Sequence, residues 1–205
     1  MMNRKGLLIV VSGPSGAGKG TVLKRVFTAD KSLTYSISVT TRQPRKGEVD
    51  GVNYFFKTKE EYLEMVTNEE FLETQKVYDN YYGTPRAYVE ELRNAGKDVV
   101  LEIDVKGALE VSHNVSDAIL IFLTPKSKEV LRNRLRGRAT ETEEQLKIRT
   151  DAAISEFRMI TGYDYVVINN NLDDCVKDVL GIINAERHKV ACNGEFIKKF
   201  LEGDN

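Results

Sequence analysis

Tryptophan is absent from the chain, and cysteine and histidine occur only twice each. Cys175 and Cys192 show no C-x-x-C or Cys/His ligand spacing, which argues against a disulfide framework and against a structural zinc site. His113 and His188 stand in no pattern that would make either a general base or a metal ligand. A dominant charge is missing too: 30 Lys and Arg against 31 Asp and Glu leave a formal net charge of -1. There is therefore no global basic field of the kind that gathers nucleic acid. No apolar run exceeds about seven residues, far below the roughly 20 needed to span a bilayer, and residues 1–11 lack a secretory cleavage pattern. The expectation is a soluble, cytoplasmic protein without a membrane or nucleic-acid partner. Repeats, low-complexity tracts and linkers are lacking as well. With 205 residues, 41% of them hydrophobic, the chain suffices for one α/β core carrying inserted lobes.

What the chain does have is concentrated first at Gly13 to Thr21, GPSGAGKGT. The apolar run Leu7 to Val11 precedes it, and a helical pattern with Val22, Leu23, Val26 and Phe27 on one face follows. Gly13 to Lys19 fits G-x-x-x-x-G-K, a loop whose backbone N–H groups and following helix N-terminus point at phosphate oxygens. Gly13, Pro14, Ser15, Gly16, Ala17, Gly18, Lys19, Gly20 and Thr21 are thus candidate nucleotide-phosphate ligands, with Lys19 supplying a mobile positive charge. The hydroxyl that usually follows the lysine and holds Mg²⁺ is displaced by one residue: Gly20 stands in its place and Thr21 comes next.

Further along, extended pieces punctuated by Pro44, Gly47 and Gly51, a helical stretch at 59–66 and an aromatic, acidic run at 69–82 form an inserted lobe. Apolar strands are expected at 99–103, 118–123 and 165–168, with helices at 86–95, 127–138, on to about 160, and at 172–190. Strands alternating with helices predict an α/β fold, a parallel sheet layered between helices. The expected division is a core of 1–34, 85–125 and 161–205, a lobe of 35–84 and a helical lid of 126–160.

Three clusters carry further chemistry. Arg42 and Arg45 flank Pro44 and suit one anion, although a solvated basic loop has the same composition. Tyr54 and Tyr82 lie in the same lobe. Glu73 and Glu102 are carboxylates inside apolar patterns, where each needs a partner. The donor edge of guanine is one such partner and an internal salt bridge another, with Ser38 and Thr84 available as donors to the guanine oxygen. In RNRLRGRATETEE, Arg134 and Arg138 share a helix face and Arg149 follows, which fits either a closing flap or a charged surface helix. Asp104 ends a buried strand, where parallel sheets place their ligand crevice, and is a candidate to orient Mg²⁺ through water.

The segments GPSGAGKGT, SVTTRQPRKGEVDGVNYFF, FLETQKVYDNYYGTPR, LEIDVKGA, RLRGRATETEE and YDYVVIN occur in the order and spacing of guanylate kinases, which the chain resembles over nearly its whole length. The resemblance implies a P-loop three-layer core with an inserted GMP-binding lobe and a helical lid, and transfer of the ATP γ-phosphate to GMP and dGMP with Mg²⁺. It implies that Arg42, Arg45, Tyr54 and Tyr82 hold the GMP phosphate and that Ser38, Glu73, Thr84 and Glu102 read guanine. Lys19, Arg134, Arg138 and Arg149 would serve the transferred group, and Asn169 would lie near adenine. Gly20 stands where the family often has Ser, and Ala139 where it often has Gly. Related domains that have lost turnover serve as peptide-binding scaffolds, the competing expectation; the intact loop and arginines argue against it. A homodimer is left open.

Overall fold

The apolar run after Gly6 becomes strand β1 (Leu8–Ser12), every residue of which is buried. Its surroundings come from a computed structural model that describes residues 4–136 and 143–203. Successive side chains of a strand point to opposite faces, so β1 supplies two cores at once. Ile9 and Val11 pack with Val22, Leu23 and Val26 of α1 (Lys19–Ala29) and with Val176, Val179 and Ile183 of α7 (Leu172–Arg187). Leu8 and Val10 face Val89 of α3 (Arg86–Asn94) and Ala108 and Val111 of α4 (Val105–Asn114). The result is a three-layer sandwich.

The central sheet adds β2 (Leu33–Tyr35), β7 (Asp98–Glu102), β8 (Ala118–Thr124) and β9 (Tyr165–Ile168) in the order β2-β7-β1-β8-β9, with every pairing parallel. Val99 to Leu101 and Ile119 to Leu123 are buried on both faces, which is why the sequence there shows continuous apolar runs instead of alternation. The expected helix to about residue 160 is α6 (Glu143–Phe157) followed by a 3-10 turn at Arg158–Gly162, and α7 stops at Arg187. α4 and a C-terminal helix α8 (Gly194–Glu202) were not anticipated. Among the described residues, no helix is long and apolar enough to cross a membrane.

A second sheet, ordered β4-β3-β6-β5, is built from β3 (Val39–Thr40), β4 (Phe55–Phe56), β5 (Phe71–Val77) and β6 (Asn80–Pro85). Its small core is aromatic. Tyr62, on α2 (Lys59–Thr67), stacks on Phe71 at 4.8 Å and on Tyr81 at 5.3 Å, and its hydroxyl donates to Tyr82 O at 2.7 Å. Thr58 and Glu61 close a capping box on α2, so the helix is locally determined. α5 (Lys128–Arg136) pairs with α6 through Leu131, Leu135, Leu146 and Ala153.

One ionic hub ties the chain ends to the sheet. Asp98 is 3% exposed and accepts from the Leu7 N–H (2.9 Å), Arg4 (2.8 Å) and Arg187 Nε (2.7 Å). Removing one partner of a buried ionic cluster leaves the others uncompensated, at a cost of about 3 to 5 kcal/mol. Asp98→Ala should therefore lower the unfolding free energy by about 3 kcal/mol in urea titrations, without altering the crevice at the other end of the strands.

Candidate active site

The loop after β1 runs directly into α1. Gly18 is the N-cap of that helix at φ 92°, and a Cβ there would lie 2.5 Å from Asn169 Nδ2, so both the left-handed turn and the close approach require glycine. Lys19 donates from Nζ to Gly13 O at 2.6 Å. Asn169, buried just beyond β9, donates through Nδ2 to Ala17 O at 2.9 Å. Arg134 of α5 bridges Ala17 O (3.2 Å) and Asn169 O (2.9 Å). Arg149 of α6 donates to Ser15 Oγ at 2.9 Å. α5 and α6 thus meet the phosphate loop through two of the three arginines named from the sequence; Arg138 lies outside the described residues, as does Ala139.

Beside the loop is a cleft of ≈ 440 Å³ whose lining includes Lys19, Ser38, Tyr54, Glu73, Tyr82, Glu102 and Asp104. Residues more than eighty positions apart in sequence come together because β7 ends here and β5 and β6 run along the cleft wall. Thr84 lies beneath, donating from Oγ1 to Glu73 Oε1 at 2.7 Å. Arg42 sits on the lobe side of the cleft, its guanidinium carbon 5.3 Å from the Tyr54 ring centroid and 5.8 Å from that of Phe56. Arg45 is exposed, and its backbone N–H donates to Glu48. A larger hollow of ≈ 660 Å³ opens at the opposite end of the strands, but its charges are largely matched internally, Arg93 to Asp117 and Lys189 to Glu186.

The carboxylates differ in environment. Glu73 is 4% exposed. Burial pushes its carboxyl up to about 7, with the Thr84 hydroxyl opposing and Asp104 and Glu110 adding to the rise. Glu102 is also raised by burial, against the pull of Lys19. Asp104 caps α4, accepting the Gly107 N–H at 2.7 Å, and its other oxygen accepts from Gln75. Thr21 is exposed on the first turn of α1. Among the described residues, no group of three or more His, Cys, Asp or Glu side chains converges on a metal position.

Several residues at the site escaped the sequence reading. Glu156 of α6 has its carboxyl raised by burial, with Lys19 among the charges acting on it; it is one acid in a charged helix, and nothing local marks it. Gln75 and Asn53 line the cleft. Gln75 was discoverable in retrospect, since it follows Glu73 by two and a strand places such residues on one face.

A phosphate loop at the C-terminal edge of a parallel sheet, facing an acid-lined cleft between that sheet and the second one and touched by arginines of α5 and α6, defines a P-loop phosphotransferase. The family model described as guanylate kinase matches residues 5–186. The chain is 49% identical over 201 residues to guanylate kinase of Caldanaerobacter subterraneus subsp. tengcongensis, covering 98% of each, and 46% identical over 203 residues to that of Clostridioides difficile, covering 98% of this chain and 99% of the relative. The crystal structure of guanylate kinase from Anaplasma phagocytophilum superposes with a TM-score of 0.71 at 30% identity, covering 94% of this chain and 92% of that one. The chain belongs to the guanylate kinase family.

The raised Glu73 carboxyl has a measurable consequence before any ligand binds. Between its ordinary value of 4.5 and its folded value of about 7, the native state holds a proton that the unfolded chain has released. Stability therefore falls as pH rises through that window. Glu73→Gln, which keeps an acceptor for Thr84, should be more stable than the parent at pH 8 by about 3 kcal/mol, and the difference should shrink toward zero by about pH 4. Urea unfolding at the two pH values checks this.

Proposed function

We propose that the cleft binds GMP, or dGMP, and that the phosphate loop binds ATP, so that the γ-phosphoryl group passes to the acceptor phosphate: ATP + GMP = ADP + GDP. The observation that carries this reading is the shared cleft, in which Lys19 of the phosphate loop and the carboxylates Glu73 and Glu102 line one space. Ionised carboxylates accept hydrogen bonds only, and guanine offers N1–H and an exocyclic amine where adenine offers no matching pair of donors. Glu73 and Glu102 are assigned to that edge, with Ser38 and Thr84 beside it; Arg42, Arg45, Tyr54 and Tyr82 are assigned to the acceptor phosphate. Asn169 is assigned to the far side of the loop, where adenine would lie, and Arg134 and Arg149, which reach the loop from α5 and α6, are assigned to the transferred group. Arg138 is assigned to the transferred group from the resemblance alone.

No protein base is needed. A phosphate monoester loses its second proton near about pH 6, so the nucleophilic oxygen is already charged at neutral pH. The obstacle is repulsion: two like unit charges about 4 Å apart cost on the order of 4 kcal/mol at an effective dielectric of about 20. Lys19 and the arginines offset that cost and hold the reactants in line. Divalent metal fits the site only as a companion of the nucleotide. Asp104 accepts from Gly107 and Gln75 and keeps a lone pair on each oxygen, so it would meet a nucleotide-bound Mg²⁺ directly or through water, whereas Gly20 supplies no hydroxyl. When bound with ATP, the ion would neutralise phosphate charge. No specific feature favours a peptide-binding scaffold.

ADP release measured with Mg²⁺-ATP and GMP should be strong, and Lys19→Ala should lower turnover by about 10² or more. Glu73→Gln should reduce the preference for GMP over AMP by about tenfold or more. An unchanged preference would remove Glu73 from base recognition.

A further inference from the structure

The segment bearing Arg42 and Arg45 folds back on itself through a residue that the reaction above leaves unused. In the turn Arg45 to Glu48, the Glu48 N–H donates to Arg45 O at 3.0 Å. Gly47 holds φ 90° at the third position, where a type II turn requires a positive value. The turn returns Glu48 onto both arginines. Its Oε2 accepts from Arg42 Nη1 at 2.9 Å and from the Arg45 backbone N–H at 2.7 Å, while Oε1 accepts from Arg42 Nη2 at 3.0 Å.

This grip is end-on: the carboxylate takes the two terminal nitrogens of the guanidinium. Arg42 Nη1 also donates to Gln43 O at 2.8 Å. A guanidinium presents a second bidentate edge, formed by Nε and the other hydrogen of Nη2, which suits a phosphate equally well. Tyr54 lies under the face of the Arg42 guanidinium, 5.3 Å from its carbon to the ring centroid. Arg42 and Glu48 side chains are only 15% and 20% exposed, so neither swings freely in solvent. The Arg42 hydrogen bonds and then the Arg45 N–H hold the Glu48 carboxyl below its ordinary range, which keeps it charged at neutral pH.

We propose that Glu48 is the positioning residue of the acceptor-phosphate grip: by clamping the end of Arg42 and the backbone of Arg45 together, it fixes the free Arg42 edge toward a phosphate monoester dianion. The proposal rests on the reading of the lobe as the GMP site and adds to it a carboxylate that never touches substrate. A carboxylate among phosphate-binding arginines would otherwise be expected to compete with the ligand. The end-on geometry separates the two roles, because it leaves the side edge available.

The test compares GMP with guanosine, which carries the same base without the phosphate, by NMR titration of the full chain and its Glu48→Gln and Glu48→Ala variants. Positioning predicts about a tenfold loss of GMP affinity in both variants, with guanosine affinity within twofold of the parent. Equal losses for both ligands would overturn the proposal by showing a general structural role in the lobe. Unchanged GMP affinity, or tighter GMP binding, would overturn it as well, the latter by showing competition. If the parent protein binds neither ligand, the GMP-site reading itself fails along with what rests on it, an outcome distinct from any change confined to the variants.

Discussion

Charge gathered at the dry end of an apolar sheet must be held by the protein before it can hold anything else, and the site is organised around that constraint. Four of the cations at the site have an oxygen to rest on: Lys19 on Gly13 O, Arg42 on Glu48, Arg134 on Ala17 O and Asn169 O, Arg149 on Ser15 Oγ. These contacts fix donors in place ahead of the nucleotides, so that little reorganisation remains when phosphate charge arrives. The carboxylates are arranged in the opposite sense. Glu73 and Glu102 are pushed toward their neutral forms by burial, which gives a ligand that brings hydrogen-bond donors a large effect on their ionisation.

The lobe and the core are joined where this matters most. β5 carries Glu73 into the cleft, and on the same strand the Thr74 N–H donates to Glu110 at 3.2 Å, while Asn114 donates to Leu72 O at 2.8 Å. Gln75 reaches Asp104, which caps α4. α4 therefore serves as a bracket between the strand that presents Glu73 and the strand that presents Glu102. The aromatic stack of Tyr62, Phe71 and Tyr81 stiffens the other side of the same strand pair. A base-reading site built from two sheets needs such a bracket, since neither sheet alone sets the spacing of its carboxylates.

Much of this was legible in the sequence for identifiable reasons. Buried parallel strands announce themselves as continuous apolar runs, and β1, β7, β8 and β9 fall within a residue or two of their expected places. The phosphate loop was legible because glycine spacing and a following helix are local properties. The β5–β6 hairpin was not: its tight turn, Tyr78-Asp79, lacks the Asn-Gly or Gly signal that marks two-residue hairpins, and Tyr78 takes φ 55° without being glycine. Glu48 and Glu156 were missed because what each acid does depends on a partner brought in by the fold. Paired arginines can be read from spacing, but the acid that orients them cannot be told from a solvated one. β2 and β3, three and two residues long, are too short for a period to show.

The most direct test of the account is proton release on GMP binding at pH 7, measured calorimetrically in buffers of different ionisation enthalpy. A Glu73 carboxyl raised to about 7 by burial is partly protonated there, and the donors of guanine favour its ionised, acceptor-only form. The account predicts that the parent releases a fraction of a proton more than Glu73→Gln. The same release from both proteins would contradict it, because Glu73 would then keep its protonation state while GMP binds.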